Sequence, residues 1–273
     1  MKFTKMQGAG NDYVYVNCFE EMVSDPAEVS RYVSDRHFGI GSDGLILICP
    51  SEVADCRMDI YNADGSRALM CGNGVRCVAK YAYDHGIVPP ERRELRVETL
   101  SGIKIITFSV KAQKAQDITV DMGEAKVTSE VPEKLVVDGE TYEFVGISVG
   151  NPHAVIFLDP KEELPVLTAG PKIEMHPRFQ PDRVNVEFAQ VLDQNRIRMR
   201  VWERGSGETL ACGTGATATA VAAMERGLVG EETDIELFGG TLHIRRDATN
   251  GHLFMTGPAT EVFSGEIFLP ESK

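Results

Sequence analysis

Four landmarks recur in this chain at one spacing, about half its length. Gly10-Asn11-Asp12-Tyr13-Val14 resembles Gly150-Asn151-Pro152-His153-Ala154. Phe38 matches Phe179, Asn62-Ala63-Asp64-Gly65-Ser66 matches Glu203-Arg204-Gly205-Ser206-Gly207, and Cys71-Gly72-Asn73-Gly74 matches Cys212-Gly213-Thr214-Gly215. The last three pairs share one offset, and the first differs from them by a single position. One such match means little; four in order at one spacing indicate a duplicated unit. A chain of 273 residues is long enough for two such units, each with its own core.

The flanks of the landmarks agree. Arg57-Met58-Asp59-Ile60-Tyr61 and Arg196-Ile197-Arg198-Met199-Arg200-Val201-Trp202 alternate at period two, as half-buried strands do. After each Cys-Gly-x-Gly comes a helical stretch. Val75, Val78, Ala79 and Ala82 recur at helical spacing, and residues 216–226 are mostly Ala, Thr and Val, ending at Gly227 as a C-cap. Glu98–Ile105 and Glu236–His243 extend the repeat. The strands follow too densely for the long crossovers of a parallel sheet. The expected fold is therefore α/β of the α+β kind, with two pseudo-symmetric domains, each a curved, mostly antiparallel sheet around a central helix. The polar stretch at 112–117 marks the boundary. Residues 1–115 plus 263–273 form the lobe carrying Cys71, with a returning strand near Ile267-Phe268-Leu269, and residues 116–262 form the lobe carrying Cys212. Residues 130–134 and 160–171, punctuated by proline, read as loops.

Composition narrows the function. Asp plus Glu number 41 against 28 Lys plus Arg, and a net charge of -13 disfavours nucleic acid and anionic membrane surfaces as partners. No apolar run approaches the roughly 20 residues of a membrane span, and the opening Met1–Gly8 lacks a signal-peptide core. The reading is a cytoplasmic protein. Six cysteines in a chain of this size without an export signal do not read as a disulfide framework, and no Cys-x-x-Cys or zinc-like histidine spacing occurs. Cys18, Cys49, Cys56 and Cys77 read as small buried apolar residues.

Cys71 and Cys212 read differently because each stands where a strand ends and a helix begins. Unpaired amides and the positive end of the helix lower a thiol's proton affinity there and also bind carboxylates. The glycines that follow let a ligand approach the backbone. On a pseudo-symmetric scaffold the twin motifs are expected to line one cleft. Two thiols of that kind suit inversion of an α-carbon, one removing a proton from one face and the other returning one to the opposite face. Gly39-Ile40-Gly41-Ser42-Asp43-Gly44 matches a dinucleotide fingerprint, but a helical stretch precedes it and Leu45-Ile46-Leu47-Ile48 reads as a strand after it, which is the wrong order.

Gly8-Ala9-Gly10-Asn11-Asp12-Tyr13, Asp35–Gly44, Tyr61–Ser66, Met70–Cys77, Gly150–His153, Val184-Asn185, Glu203-Arg204-Gly205 and Ala211–Gly215 resemble, in order, the motifs of the diaminopimelate epimerases. The resemblance covers nearly the whole chain. It implies interconversion of LL- and meso-2,6-diaminoheptanedioate in lysine and peptidoglycan biosynthesis, with no metal, no pyridoxal phosphate and a homodimer. It implies Cys71 and Cys212 as the proton donor and acceptor. It implies backbone groups of Gly72, Asn73, Gly213 and Thr214 on the reacting carboxylate. Asn11, Asn62, Asn151, Asn185, Glu203 and Arg204 would bind substrate, with Arg204 on the distal carboxylate, and His153 and Glu203 would tune the thiols. Where some members carry a substrate-contacting Gln, this chain has Gly44. The competing readings are a proline-racemase-like enzyme and a thiol redox or amino-acid-binding protein.

Overall fold

The structure is a computed structural model that describes residues 1–270. Its contacts divide into two compact units: Met1–Val120 together with the segment from Gly257 onward, and Asp121–Thr256. The division therefore falls after Val120 and after Thr256, not at 115/116 and 262/263. The polar stretch at 112–116 is no linker. Ala112 and Gln113, at φ 50° and 61°, turn a hairpin in which Lys111 pairs with Lys114.

The first unit runs β1 (Lys2–Gly8), β2 (Asn11–Asn17), α1 (Pro26–Ser34), β3 (Gly44–Cys49), β4 (Cys56–Asn62), β5 (Arg67–Ala68), α2 (Gly72–Asp84), β6 (Glu94–Thr99), β7 (Gly102–Lys111) and β8 (Lys114–Gly123). Its main sheet is ordered β1-β2-β3-β4-β6-β7-β8. The β2–β3 and β4–β6 pairs are parallel and the others antiparallel. The helix α1 starts on Asp25, whose carboxylate accepts the Glu28 amide at 3.1 Å. It packs Val29 and Val33 with Val14, Val16, Leu45 and Leu47. The other strand face carries Tyr15 toward α2, where its hydroxyl donates to the Gly74 carbonyl at 3.4 Å. Covered on both faces, β3 is buried from end to end, which explains its unbroken apolar run. The G-x-G-x-x-G segment thus follows a helix and opens onto a strand.

The second unit runs β9 (Lys126–Val127), β10 (Glu133–Val137), β11 (Glu140–Ser148), β12 (Pro152–Phe157), α3 (Val166–Glu174), β13 (Asn185–Asp193), β14 (Arg196–Glu203), β15 (Gly207–Thr209), α4 (Gly213–Glu225), β16 (Glu232–Leu237), β17 (Gly240–Arg246) and β18 (Leu253–Gly257). The order β11-β12-β13-β14-β16-β17-β18 repeats the first unit pair for pair, with β12–β13 and β14–β16 parallel. The helix α3 repeats α1, closing over Phe144, Ile156, Val186 and Phe188. Each such buried side chain contributes about 2 kcal/mol of apolar transfer. Part of 160–171, expected to be a loop, lies in this helix. Pro171 forgoes one helical hydrogen bond, to Leu167, at an exposed position. Residues 133–134, also expected as loop, begin β10.

The returning strand is β19 (Thr260–Glu266), antiparallel to β1, so it ends before the segment expected for it. Ile267, beyond the strand, exchanges backbone hydrogen bonds with Met1 and packs against the apolar core of the first unit. Among the described residues no helix is long and apolar enough to cross a membrane.

Candidate active site

Each cysteine motif opens a helix of 13 residues, and each cysteine is that helix's N-cap. Cys71 has φ -135° and ψ 117°, Cys212 has φ -120° and ψ 113°, both extended. The sulfur stands where a Ser or Asp oxygen normally caps a helix. The Gly74 amide donates to Cys71 Sγ at 3.3 Å, and the Gly215 amide to Cys212 Sγ at 3.4 Å. Gly72 and Asn73, like Gly213 and Thr214, follow in the first turn, where the helix ladder does not consume amides and anions bind.

Two glycines are fixed by close approach. A Cβ on Gly74 would lie 2.8 Å from Ile46 Cδ1, and one on Gly215 would lie 2.7 Å from Glu187 Oε1. Gly44 has no room either: its Cβ would meet the Tyr61 carbonyl at 2.2 Å, so no side chain reaches a ligand from that position.

Around Cys71, the thiol donates to Asn11 Oδ1 at 3.2 Å. Asn11 is itself oriented, because its Nδ2 donates to Asp43 Oδ2 at 2.8 Å. Burial and the nearby Asp12 charge raise Asp43 above the usual carboxylate range. Burial acts the same way on Asp12, but Arg36 and Lys5 overcome it and hold Asp12 low. Asn73 turns its side chain inward, where Arg76 Nη2 donates to its Oδ1 at 2.8 Å. Arg76 is completely buried and donates to the Gly72 and Pro258 carbonyls. Burial lowers its proton affinity, and the Cys77 and Cys71 sulfurs oppose that. Asn62, half-buried, donates to Ser66 Oγ at 3.0 Å. Cys77 lies on α2 with its thiol pushed up to about 11 by burial, and Cys56 is pushed to about 12 by burial, as inert thiols should be.

Around Cys212 the neighbours are ionisable. Glu203 accepts a hydrogen bond from Thr209 Oγ1 at 2.5 Å, and the Cys212 thiol lies near enough to act on its carboxyl. Burial, then the charge of Glu187, raises Glu203 above its ordinary value. Burial, then the Glu203 and Glu187 charges, raises Cys212 well above the ordinary thiol value, while Thr214 and the Gly215 amide oppose the rise. His153 is buried, with Nδ1 2.7 Å from Glu187 Oε1 and Nε2 3.0 Å from Asn151 Oδ1. Asn151 Nδ2 donates to Thr214 Oγ1 at 3.3 Å. Asn185 is a brace as much as a contact group: it donates to the Pro152 carbonyl at 3.0 Å and accepts the Arg204 amide at 2.9 Å. The Arg204 side chain is exposed and donates to the Asp182 carbonyl at 2.6 Å.

The second unit thus gathers Asn151, His153, Asn185, Glu203, Arg204, Cys212, Gly213 and Thr214, and the first gathers Asn11, Asn62, Cys71, Gly72 and Asn73. Residues 3–128 and 145–262 match the family model described as diaminopimelate epimerase. The chain belongs to the diaminopimelate epimerase family. A diaminopimelate epimerase of Desulfovibrio desulfuricans is 50% identical over 286 residues, covering 98% of this chain and 99% of that one. One from Acetivibrio thermocellus is 50% identical over 282 residues, covering 99% and 100%. Among solved structures, a probable proline racemase from Agrobacterium radiobacter superposes with TM-score 0.71 at 15% identity, covering 98% of this chain and 93% of the other. A hydroxyproline epimerase from Agrobacterium vitis gives 0.69 at 16%, covering 97% and 91%. These two likenesses establish the shared fold.

Three site residues escaped the sequence reading: Arg76, Thr209 and Glu187. Arg76 sits among the small and apolar residues of α2, and Glu187 interrupts the apolar run of β13. A charge at a position the pattern marks as buried was the available signal.

Proposed function

We propose that this chain interconverts LL- and meso-2,6-diaminoheptanedioate, with Cys71 and Cys212 as acid and base on opposite faces of one α-carbon. The observation that carries the reading is the duplicated N-cap cysteine: two sulfurs in the same backbone setting, each followed by helix-initial amides. In one direction the thiolate of one cysteine takes the α-proton and becomes a thiol. The electron pair left on carbon spreads into the carboxylate. Amides of Gly72, Asn73, Gly213 and Thr214 hold that carboxylate, each such donor being worth roughly 3 kcal/mol in comparable sites. The other thiol gives its proton to the opposite face and becomes the thiolate. The enzyme is left with its two protonation states exchanged, which is the starting state for the reverse reaction.

Asn11, Asn62, Asn151, Asn185, Glu203 and Arg204 are the substrate-binding set, Arg204 offering a planar fork to the distal carboxylate. His153 and Glu203 set the proton affinity of Cys212. The scheme needs no metal and no pyridoxal phosphate. We place the enzyme in the cytoplasm, as a homodimer. Membership of the family supports the substrate, since the named relatives match 98% and 99% of the chain.

The test is incubation with LL-diaminopimelate, followed by stereoisomer-resolving chromatography. Growth of the meso isomer until the two stereoisomers equilibrate is the expected result, with proline left unchanged. Folded protein that leaves LL-diaminopimelate untouched would overturn the reading.

A further inference from the structure

The repeat makes the two cysteine settings directly comparable, and one buried position separates them most sharply. At the offset that aligns Cys71 with Cys212, Ile46 aligns with Glu187. The two occupy the same place, each lying against the second glycine of its motif, Gly74 or Gly215. The first copy shows that an apolar side chain satisfies the packing there. In the second copy the place holds a fully buried carboxylate, and its Oε2 finds no hydrogen-bond partner. Burying such a group costs several kcal/mol unless something compensates. Packing does not account for it.

We propose that Glu187 is a positioning residue for Cys212: it anchors His153 at the head of a one-way chain of hydrogen bonds whose last donor is the Thr214 hydroxyl on the sulfur. Glu187 Oε1 lies 2.7 Å from His153 Nδ1, and His153 Nε2 lies 3.0 Å from Asn151 Oδ1. Asn151 Nδ2 lies 3.3 Å from Thr214 Oγ1, which lies 3.5 Å from Cys212 Sγ. The direction follows from the donors. Asn151 spends its Nδ2 on Thr214, so its Oδ1 is the acceptor and His153 Nε2 carries the proton. Thr214 Oγ1 accepts from Asn151, so its own hydrogen remains for the sulfur. Glu187 accepts from His153 Nδ1 and holds the ring; every link from His153 onward points toward Cys212, and a chain of that polarity favours the thiolate. Tyr13 stands in the first copy where His153 stands in the second, and Ile46 where Glu187 stands, so the first copy lacks the residues that head this chain.

The groups that act on Cys212 come from each element packed around it. They are His153 on β12, Glu187 on β13, Glu203 at the end of β14, and Thr214 with the helix N-terminus on α4. Glu187 therefore has two ways to act, as a bare negative charge opposing the thiolate or through the chain. Its effect through the chain outweighs that of its charge. The proposal rests on the epimerase reading only in giving Cys212 a catalytic task.

The test is a double-mutant cycle read without substrate or turnover. Alkylation by iodoacetamide is followed over a pH series by peptide-resolved mass spectrometry, in the parent, Thr214→Val, Glu187→Gln and the double variant. Thr214→Val should raise the alkylation midpoint of Cys212 by about 1 pH unit. Glu187→Gln should raise it by roughly half a unit in the parent, and that rise should vanish in the Thr214→Val background, where only the loss of the Glu187 charge remains and it lowers the midpoint. The Cys71 midpoint, the internal control, should not change. No rise in the parent, or the same rise surviving in the Thr214→Val background, overturns the proposal, the first because the direct charge effect then dominates and the second because the effect then bypasses Thr214. Should Glu187→Gln not fold, Glu187→Ile borrows the residue of the other copy. Asn151→Leu cuts the chain at its middle and must show the same loss of additivity. Loss of this coupling with epimerisation intact removes only the chain. Coupling without epimerisation removes only the functional reading.

Discussion

Cys71 and Cys212 share a backbone and differ in charge. Each caps a 13-residue helix from an extended conformation and takes one amide on its sulfur. Beside Cys71 stand a neutral amide, Asn11, and a buried guanidinium, Arg76; beside Cys212 stand Glu203, Glu187 and His153. At the aligned positions, Asn62 answers to Glu203, Ile46 to Glu187 and Tyr13 to His153. The duplicated part supplies what both half-reactions need, a helix terminus for thiolate and carboxylate. The divergent part supplies what only an ordered proton transfer needs, unequal proton affinity.

The strongest test of that division removes each sulfur in turn. Cys71→Ala and Cys212→Ala should each lower kcat by about 10³-fold or more, because neither half can do the other's proton transfer. An assay of LL-to-meso conversion that finds one variant nearly intact would break the comparison.

Next comes charge. Glu203 raises Cys212 by its negative charge, so Glu203→Gln should lower the pH at which iodoacetamide captures Cys212, by about 1 unit. The same variant should lower kcat about tenfold, the thiol being mismatched to its task. Capture of Cys71 should keep its pH dependence. A Cys212 midpoint that rises in Glu203→Gln contradicts the assignment.

The smallest effect concerns a cysteine outside the pair. Cys77→Ala should spare activity and cost about 1 kcal/mol near neutral pH in denaturant unfolding, from a small cavity. Burial raises Cys77 to about 11, so the folded state holds that proton where the unfolded chain has lost it. The parent's stability from this group is complete below the ordinary thiol value and fades as pH climbs through about 11. The stability gap between parent and variant should narrow over that window.

Much of this was readable from the residues because duplication prints twice. The two sheets, the central helices and both cysteines followed from landmarks rich in glycine, where backbone geometry leaves few choices of residue. The helix at Val166–Glu174 was hidden by its prolines, although α1, its counterpart in the first copy, starts on a proline as well. The lobe boundary was misplaced because a polar hairpin tip at 112–113 looks like a linker in one dimension. Glu187 was missed for the opposite reason: it is a single charge inside an apolar strand, and only the equivalence with Ile46 shows that the scaffold did not require it. Asn185 was expected to bind substrate, yet its side chain is hydrogen-bonded within the fold as well, which residue type does not disclose.

The claim that the two sulfurs act from opposite faces is tested most directly by the first turnovers of LL-diaminopimelate in deuterium oxide, read by mass spectrometry. Newly formed meso product should carry one deuterium at the inverted carbon while unreacted LL substrate stays unlabelled. Product that retains its original α-hydrogen, returned by the group that removed it, would contradict the account.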